Sequence, residues 1–319
     1  MLALIAVLAT LAAGPAVAAS FDCAAARGPV ERAVCDDPES SALDDRLAVL
    51  YREVLAMAPW APELRAAQRA WLAGERERAA TDAAALRSAY RARIAALERE
   101  RALARDPRWH GVGRAEASSA CLPLPPAEAP LAGDPPLPCR VAEFGPAGRL
   151  DGAELLAARY AYDSPPGSGT PSEAGFVLFT PAGTGHLRAV LAARVADAGC
   201  ALPALTPTAR GPLLLFRCIM PGTGGFNADQ VFAHGPGGWR ALDVQSWLQA
   251  LPRHLPKDLG AWKGIFPDYA ALAAKTPLWR KSDPNCCPTG GQAEIAFRWQ
   301  GDRLAIHEVR LRHEQAAAP

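Results

Sequence analysis

The side chains of this chain best suited to chemistry are its eight cysteines: Cys23, Cys35, Cys121, Cys139, Cys200, Cys218, Cys286 and Cys287. As thiols, Cys200, Cys218 or a member of the 286–287 pair would be nucleophiles. As disulfides they are inert staples, and an even count in an exported chain reads as a disulfide framework. Spacing suggests Cys23 with Cys35, Cys121 with Cys139 and Cys200 with Cys218. Cys286 and Cys287 either bridge each other or find partners elsewhere, which would reshuffle the other pairs. Asp36 and Asp37 follow Cys35 directly, and their charge disfavours a reactive thiolate there. No G-x-S-x-G elbow or S-x-x-K motif occurs. His110, His186, His234, His254, His307 and His313 are scattered, with no H-E-x-x-H spacing. Adjacent cysteines also depart from zinc spacing, which separates the sulfurs by two to four residues. The glycine-dense stretch Pro221 to Asn227 lacks the Lys-Ser/Thr of a phosphate loop and leads into a strand, so it reads as a tight loop. The sequence therefore predicts no catalytic residue, no metal site and no cofactor.

The start of the chain sets the compartment. Met1 to Ala13 is an apolar run, Gly14-Pro15 breaks it, and Ala16-Val17-Ala18 supplies small residues. This predicts a signal peptide over residues 1–19, cleaved after Ala18 or Ala19, although no Lys or Arg precedes the run. The run is shorter than the ~20 apolar residues of a membrane span, so no stable span is expected. The protein is expected to be periplasmic or secreted. The formal net charge is +1 over 319 residues, which argues against a nucleic-acid binder, since that needs a basic surface to displace counterions.

Residues 20–105 read as helical. Asp37-Pro38-Glu39 is a helix start, with an acid at the cap and Pro in the first turn. Leu43, Leu47, Leu50, Tyr51, Val54 and Leu55 then form one apolar stripe. Pro59 and Pro62 break the run. A second helix carries Leu64, Ala67, Trp71 and Leu72, with Gly74 weakening its end. Asp82 caps a third helix bearing Leu86, Tyr90, Ile94 and Leu97. Residues 106–140 are rich in Pro and Ala and read as a linker or extended wrap. Residues 141–319 read as β-rich. Three times an apolar run leads over a glycine turn into a second run: Phe176–Phe179 to Leu187–Val190, Gln230–His234 to Trp239–Leu242, and Ile295–Trp299 to Arg303–Ile306. That is the hairpin signature. Leu155–Tyr162 and Leu213–Ile219 are strand-like, while Val244–Leu251 and Pro267–Ala274 look helical. The expected fold is α+β, with a small N-terminal helical domain before an antiparallel β-rich domain with helical insertions.

The N-terminal residues resemble a known family. Phe21-Asp22-Cys23, Glu31-Arg32-Ala33-Val34-Cys35, Asp37-Pro38, Leu43-Asp44, Leu50-Tyr51 and Gln68-Arg69-Ala70-Trp71-Leu72 look like the LprI-type lysozyme-inhibitor N-terminal domain, over residues 20 to about 100. The resemblance implies a small helical domain of an exported bacterial protein that inhibits lysozyme through protein contact. The family usually carries a second cysteine pair after the W-L segment and before the last helix. Here those stretches, Glu75 to Ala80 and Ala84 to Leu86, have none. Loss of both members together implies that Cys23–Cys35 is a separate bridge, and it also removes whatever that loop would do for inhibition.

The functional expectation is a periplasmic binding or inhibitor protein that acts sterically on a protein partner, lysozyme or another cell-wall enzyme. Two alternatives are a cell-envelope hydrolase with its site near Cys218–Asn227 and Asp283–Cys287, and a structural assembly protein. Candidate recognition residues are the acids Asp36, Asp37, Asp44 and Asp45, whose blander role is a solvated, dipole-matched helix start, together with Trp71. The segment around Trp279, Arg280 and Lys281 is a further candidate, either a recognition loop or only a disulfide-pinned turn.

Overall fold

The computed structural model describes residues 19–127, 136–164, 172–222 and 224–312. The expected signal segment therefore lies outside the described residues, as do residues 128–135 of the Pro-rich stretch and His313. The fold is α+β. The chain divides into two compact units, one made of residues up to Ala58 with Arg65–Ala102, the other of Pro59–Leu64 with everything from Leu103 onward.

The first unit is helical. Helices α1 (Pro29–Asp36) and α2 (Pro38–Met57) follow each other directly. Asp37 caps α2 through the Ser40 N–H, satisfying an end donor that the helix itself cannot. Helix α3 (Ala61–Trp71) passes Gly74 through a π-turn, Leu72–Arg76, into the short α4 (Glu77–Ala79). Asp82 then accepts the Ala84 N–H at the start of α5 (Ala83–Ala104). The apolar stripes point inward: Val30, Val34, Leu47, Leu50, Val54, Leu86, Tyr90, Ile94 and Leu97 are buried. Cys23 is bonded to Cys35, tying the leading segment to α1.

The second unit is β-rich and antiparallel. A five-stranded sheet runs β1 (Val112–Gly113), β5 (His186–Ala196), β4 (Glu173–Pro181), β3 (Ala153–Tyr162), β2 (Cys139–Leu150). A four-stranded sheet runs β12 (Gly238–Leu242), β11 (Gln230–Gly235), β8 (Leu213–Phe216), β7 (Ala204–Thr206). A third joins β14 (Ala273–Pro277), β16 (Gln292–Gln300) and β17 (Arg303–Arg312). Two small ribbons complete the unit: β10 (Phe226–Asn227), β9 (Cys218–Met220) and β6 (Gly199–Cys200) in one, β13 (Leu259–Gly260) and β15 (Trp279–Arg280) in the other.

The four-stranded sheet is the middle layer. Leu214, Phe216 and Phe232 pack with Phe176, Leu178 and Leu191 of the five-stranded sheet. Leu213, Leu215 and Val231 face the other way, onto Trp247, Tyr269, Ile295, Phe297 and Leu304. Alternate side chains of one strand thus enter two cores. That explains why β8 is an unbroken apolar run, since both of its faces are covered.

The three sequence-predicted hairpins form β4–β5, β11–β12 and β16–β17. One expected helix is corrected and another is shorter than its pattern. Pro267–Ala274 is not helical: Asp268 takes the N–H groups of Ala270 and Ala271, Leu272 has a φ of 53°, and strand β14 begins at Ala273. An aspartate that turns onto the backbone two residues ahead competes with helix formation. Of the two readings of the Pro-rich stretch, its first part takes the packed one. Its short helix α6 (Arg114–Ala117) follows β1, and Trp109, Val112, Leu122 and Leu124 are buried. The Tyr160 hydroxyl accepts the Leu122 N–H at 3.1 Å. Of Val244–Leu251, only Trp247–Ala250 (α7) is α-helical, followed by a 3-10 turn, Leu251–His254.

Candidate recognition surface

Seven large hydrophobic side chains are exposed among the described residues, and five of them (Ile219, Met220, Phe226, Trp262 and Phe266) lie on two neighbouring segments of the second unit. Single exposed hydrophobics are ordinary, whereas a group of them marks an interaction surface. The first segment is the β9–β10 hairpin. Met220 and Phe226 are cross-strand partners on one face, and Ile219, one residue away, projects from the other. The second segment, 262–266, crosses the hairpin turn.

Glycine makes this crossing possible. The Gly264 N–H donates to the Gly225 carbonyl at 2.8 Å. A Cβ on Gly264 would stand 2.6 Å from that oxygen, so any larger residue would force the segments apart. Gly225 and Gly224 adopt φ values of 62° and 102°, and the Lys263 side chain runs where a Gly224 Cβ would be.

Beneath the crossing lies a buried polar network. Asp229 Oδ1 accepts the Cys218 N–H at 2.9 Å, and Oδ2 accepts from Tyr269 Oη and Arg217 Nη1, both at 3.2 Å. Burial raises the Asp229 pKa, and the Cys218 N–H and the Arg217 charge oppose that rise. The Arg217 guanidinium also donates to the Pro267 carbonyl and lies 4.9 Å over the Tyr269 ring. Asn227 Nδ2 donates to the Ile265 carbonyl at 2.9 Å, while its Oδ1 accepts from the Asp229 N–H and from Gln245. The Cys200–Cys218 bridge joins the hairpin to β6. The Tyr269, Pro267 and Ile265 contacts fix the hairpin against segment 265–269, and the Gln245 and Cys200 contacts tie it to the rest of the unit, so the hairpin is held in shape before any partner arrives.

The other border is the β13–β15 ribbon. Trp262 is exposed and stacks on buried Trp279, with ring centres 6.1 Å apart and planes at 17°. The Lys263 ammonium lies 5.6 Å from the Trp279 ring centre. After β15 the chain enters the double-cysteine loop. Asp283 accepts the N–H groups of Arg280 and Thr289 and the Thr289 hydroxyl, at 2.7–2.8 Å. Partial desolvation would raise its pKa, but those donors hold it below the ordinary carboxylate value. Cys286 and Cys287 are bonded to each other, and both are exposed. Cys121–Cys139 completes the four local pairs.

The expected recognition residues are distributed differently. Arg280 and Lys281 are exposed beside this surface, Arg280 paired with Asp258 at 2.8 Å. Trp279 is corrected from a presented side chain to a buried support. Trp71 is buried edge-on against Tyr90, at 5.2 Å, and so is also corrected. Asp44 is buried too, accepting from Ser20 and from the Tyr90 hydroxyl. Asp37 is engaged by Ser40 and Arg87. Asp36 is exposed and Asp45 half-buried. The acidic start of α2 thus meets cations of its own unit, since Glu39 also pairs with Arg87 and Arg91. Ile219, Met220, Phe226, Trp262 and Phe266 are the residues that sequence reasoning missed. The one available signal was Trp262 set between Gly260 and Gly264.

Among the described residues no group of three or more His, Cys, Asp or Glu side chains is placed to hold a metal ion, and no helix is long and apolar enough to cross a membrane. No protein-family model matches the chain, and no curated protein or solved structure matches it.

Proposed function

We propose that this is an exported binding protein of the cell envelope, working by protein–protein contact rather than by chemistry on a substrate. One observation carries the reading: five exposed hydrophobic side chains are carried on two neighbouring segments that a buried network and a glycine crossing hold together. Aromatic anchors on a preformed frame are the residues that dominate contact energy in protein interfaces. The four disulfides suit an oxidising compartment. The N-terminal resemblance supplies the partner to try first, lysozyme or another cell-wall enzyme, which would be occluded sterically.

The test is lysozyme activity on cell-wall substrate, titrated with the oxidised protein and with a Phe226→Ser/Trp262→Ser variant. Dose-dependent inhibition that the variant loses would place the inhibitory contact on this surface. Inhibition by both proteins alike would assign it to other residues, with the helical unit first among them. No inhibition by folded protein would remove lysozyme as the partner.

A further inference from the structure

Cys286–Cys287 differs from the other three disulfides in two respects that bear on redox chemistry. The first is access. Both of its cysteines are exposed. In each other pair at least one cysteine is buried or half-buried: Cys35 in one, Cys121 and Cys139 in the next, Cys200 and Cys218 in the last. Exchange requires a thiolate to reach a sulfur directly, so access separates the pairs. The second is thermodynamic. A bridge that steadies the fold is steadied by the fold to the same extent, because linkage is reciprocal. The bridges spanning 12, 18 and 18 residues gain that protection from the loops they close. Cys286–Cys287, with a sequence separation of 1, closes no loop and gains none.

The loop around this pair is held without the sulfurs. Asp283 accepts the N–H groups of Arg280 and Thr289 and the Thr289 hydroxyl. The Cys287 N–H donates to the Pro284 carbonyl at 3.0 Å. At the base, the Leu278 N–H donates to the Gly291 carbonyl and the Leu278 carbonyl accepts the Gly290 N–H, both at 2.9 Å. Opening the sulfur bond breaks none of these contacts, so the two thiols stay adjacent on a standing loop, placed to close again. We infer that Cys286–Cys287 is a redox-active disulfide, which exchanges two electrons with paired thiols of a partner protein while the fold and the other three bridges stay intact. In the forward step a thiolate of the partner attacks one sulfur, the bond between Cys286 and Cys287 breaks, and a mixed disulfide forms. The partner's second thiol then displaces this chain's sulfur. The partner is left oxidised, as a disulfide, and Cys286 and Cys287 are left as two thiols that have taken up two electrons and two protons. Run in reverse, a partner disulfide restores the bridge. The nucleophile of the forward step belongs to the partner, so the step needs no base from this chain. This site goes beyond the contact reading above, and neither depends on the other.

The experiment is a redox titration of the oxidised protein in glutathione buffers, with each pair read by alkylation and mass spectrometry and the fold by near-ultraviolet circular dichroism. Cys286–Cys287 should open under a reducing ratio about a hundredfold milder than any other pair requires, which is the protection a closed loop of about 15 residues gives. Returning the buffer to its oxidised composition should restore the same four pairs with an unchanged spectrum. Reduced thioredoxin, as the paired-thiol probe, should then be oxidised by one equivalent per chain, and Cys286→Ser/Cys287→Ser should oxidise it at least about tenfold less. Opening of all four pairs together would overturn the inference. Separate opening that thioredoxin cannot drive, or reoxidation into other pairings, would overturn it as well. The lysozyme titration above reads the contact function independently, so the failure of one proposal is distinguishable from the failure of the other.

Discussion

Glu63 sits in the first turn of α3, where a carboxylate ordinarily gains from the helix dipole. That gain is about 0.3–1 kcal/mol. Here desolvation outweighs it. Oε2 is shielded from solvent and has no hydrogen-bond partner, and burial pushes the pKa from 4.5 up to about 8. A carboxyl raised in the folded state binds its proton more tightly there than in the unfolded chain. Its contribution to stability is therefore whole below pH 4.5 and is lost as pH rises to about 8. At 1.36 kcal/mol per pKa unit the loss is roughly 3–5 kcal/mol. Glu63→Gln, neutral at every pH, should flatten that slope. Urea midpoints at pH 5 and pH 9 read the difference directly: wild type should fall between them, and the variant should hold nearly constant. An equal fall in both would mean that the Glu63 carboxyl is ionised and solvated. Asp229 shows the contrasting solution. It is also buried, but its oxygens meet a backbone N–H, a phenol and a guanidinium, so it joins strands where Glu63 only responds to pH.

The central sheet depends on strand β8, whose alternate residues fill separate cores. Leu215→Ala removes a side chain from the core shared with β16, and Phe216→Ala removes one from the core shared with β4. Each should cost stability, about 2–5 kcal/mol for leucine and 3–5 kcal/mol for phenylalanine. A strand covered on one face only would show one large loss and one small one, so chemical denaturation of the pair checks the layer arrangement. The hairpins were legible in the sequence because each couples an apolar run to a glycine turn, a local signal with a local cause. The layer order was not, because Leu213 to Phe216 reads only as continuously apolar. Pro267–Ala274 misled for a related reason. Its apolar spacing fits a helix, and only the Asp268 turn onto Ala270 and Ala271 decides otherwise. The recognition surface was least legible. Ile219, Met220 and Phe226 lie far along the chain from Trp262 and Phe266, and the pattern that exposes them is made by the Gly225–Gly264 contact. Gly264→Ala should open that contact. It should cost about 1–3 kcal/mol, and faster hydrogen exchange at Gly264 and at the Asn227–Ile265 contact would report it.

At the scale of the molecule, the four disulfides divide into two kinds. Cys23–Cys35, Cys121–Cys139 and Cys200–Cys218 span 12, 18 and 18 residues. Closing loops of that length in the unfolded chain stabilises the fold by roughly 3 kcal/mol each. Cys286–Cys287 spans a single residue and closes no chain loop, so its effect is local: it fixes the backbone between Asp283 and Thr289. Cys200→Ser/Cys218→Ser should therefore lower stability by about 3 kcal/mol or more, since Cys218 is also buried. Cys286→Ser/Cys287→Ser should leave the thermal midpoint nearly unchanged. Graded reduction with a dithiol, read by alkylation and mass spectrometry, should open the exposed 286–287 pair first and the 200–218 pair last, since a buried sulfur is shielded from the attacking thiolate. If the 286–287 pair instead resisted reduction or its loss lowered the midpoint as much as the others, the loop would be part of the core's stability rather than a rigid border of the surface beside Trp279 and Arg280. The predicted contrast separates two uses of one bond in a single chain. Long closures make the fold persist outside a reducing environment, and one short closure shapes the edge at which a partner would be met.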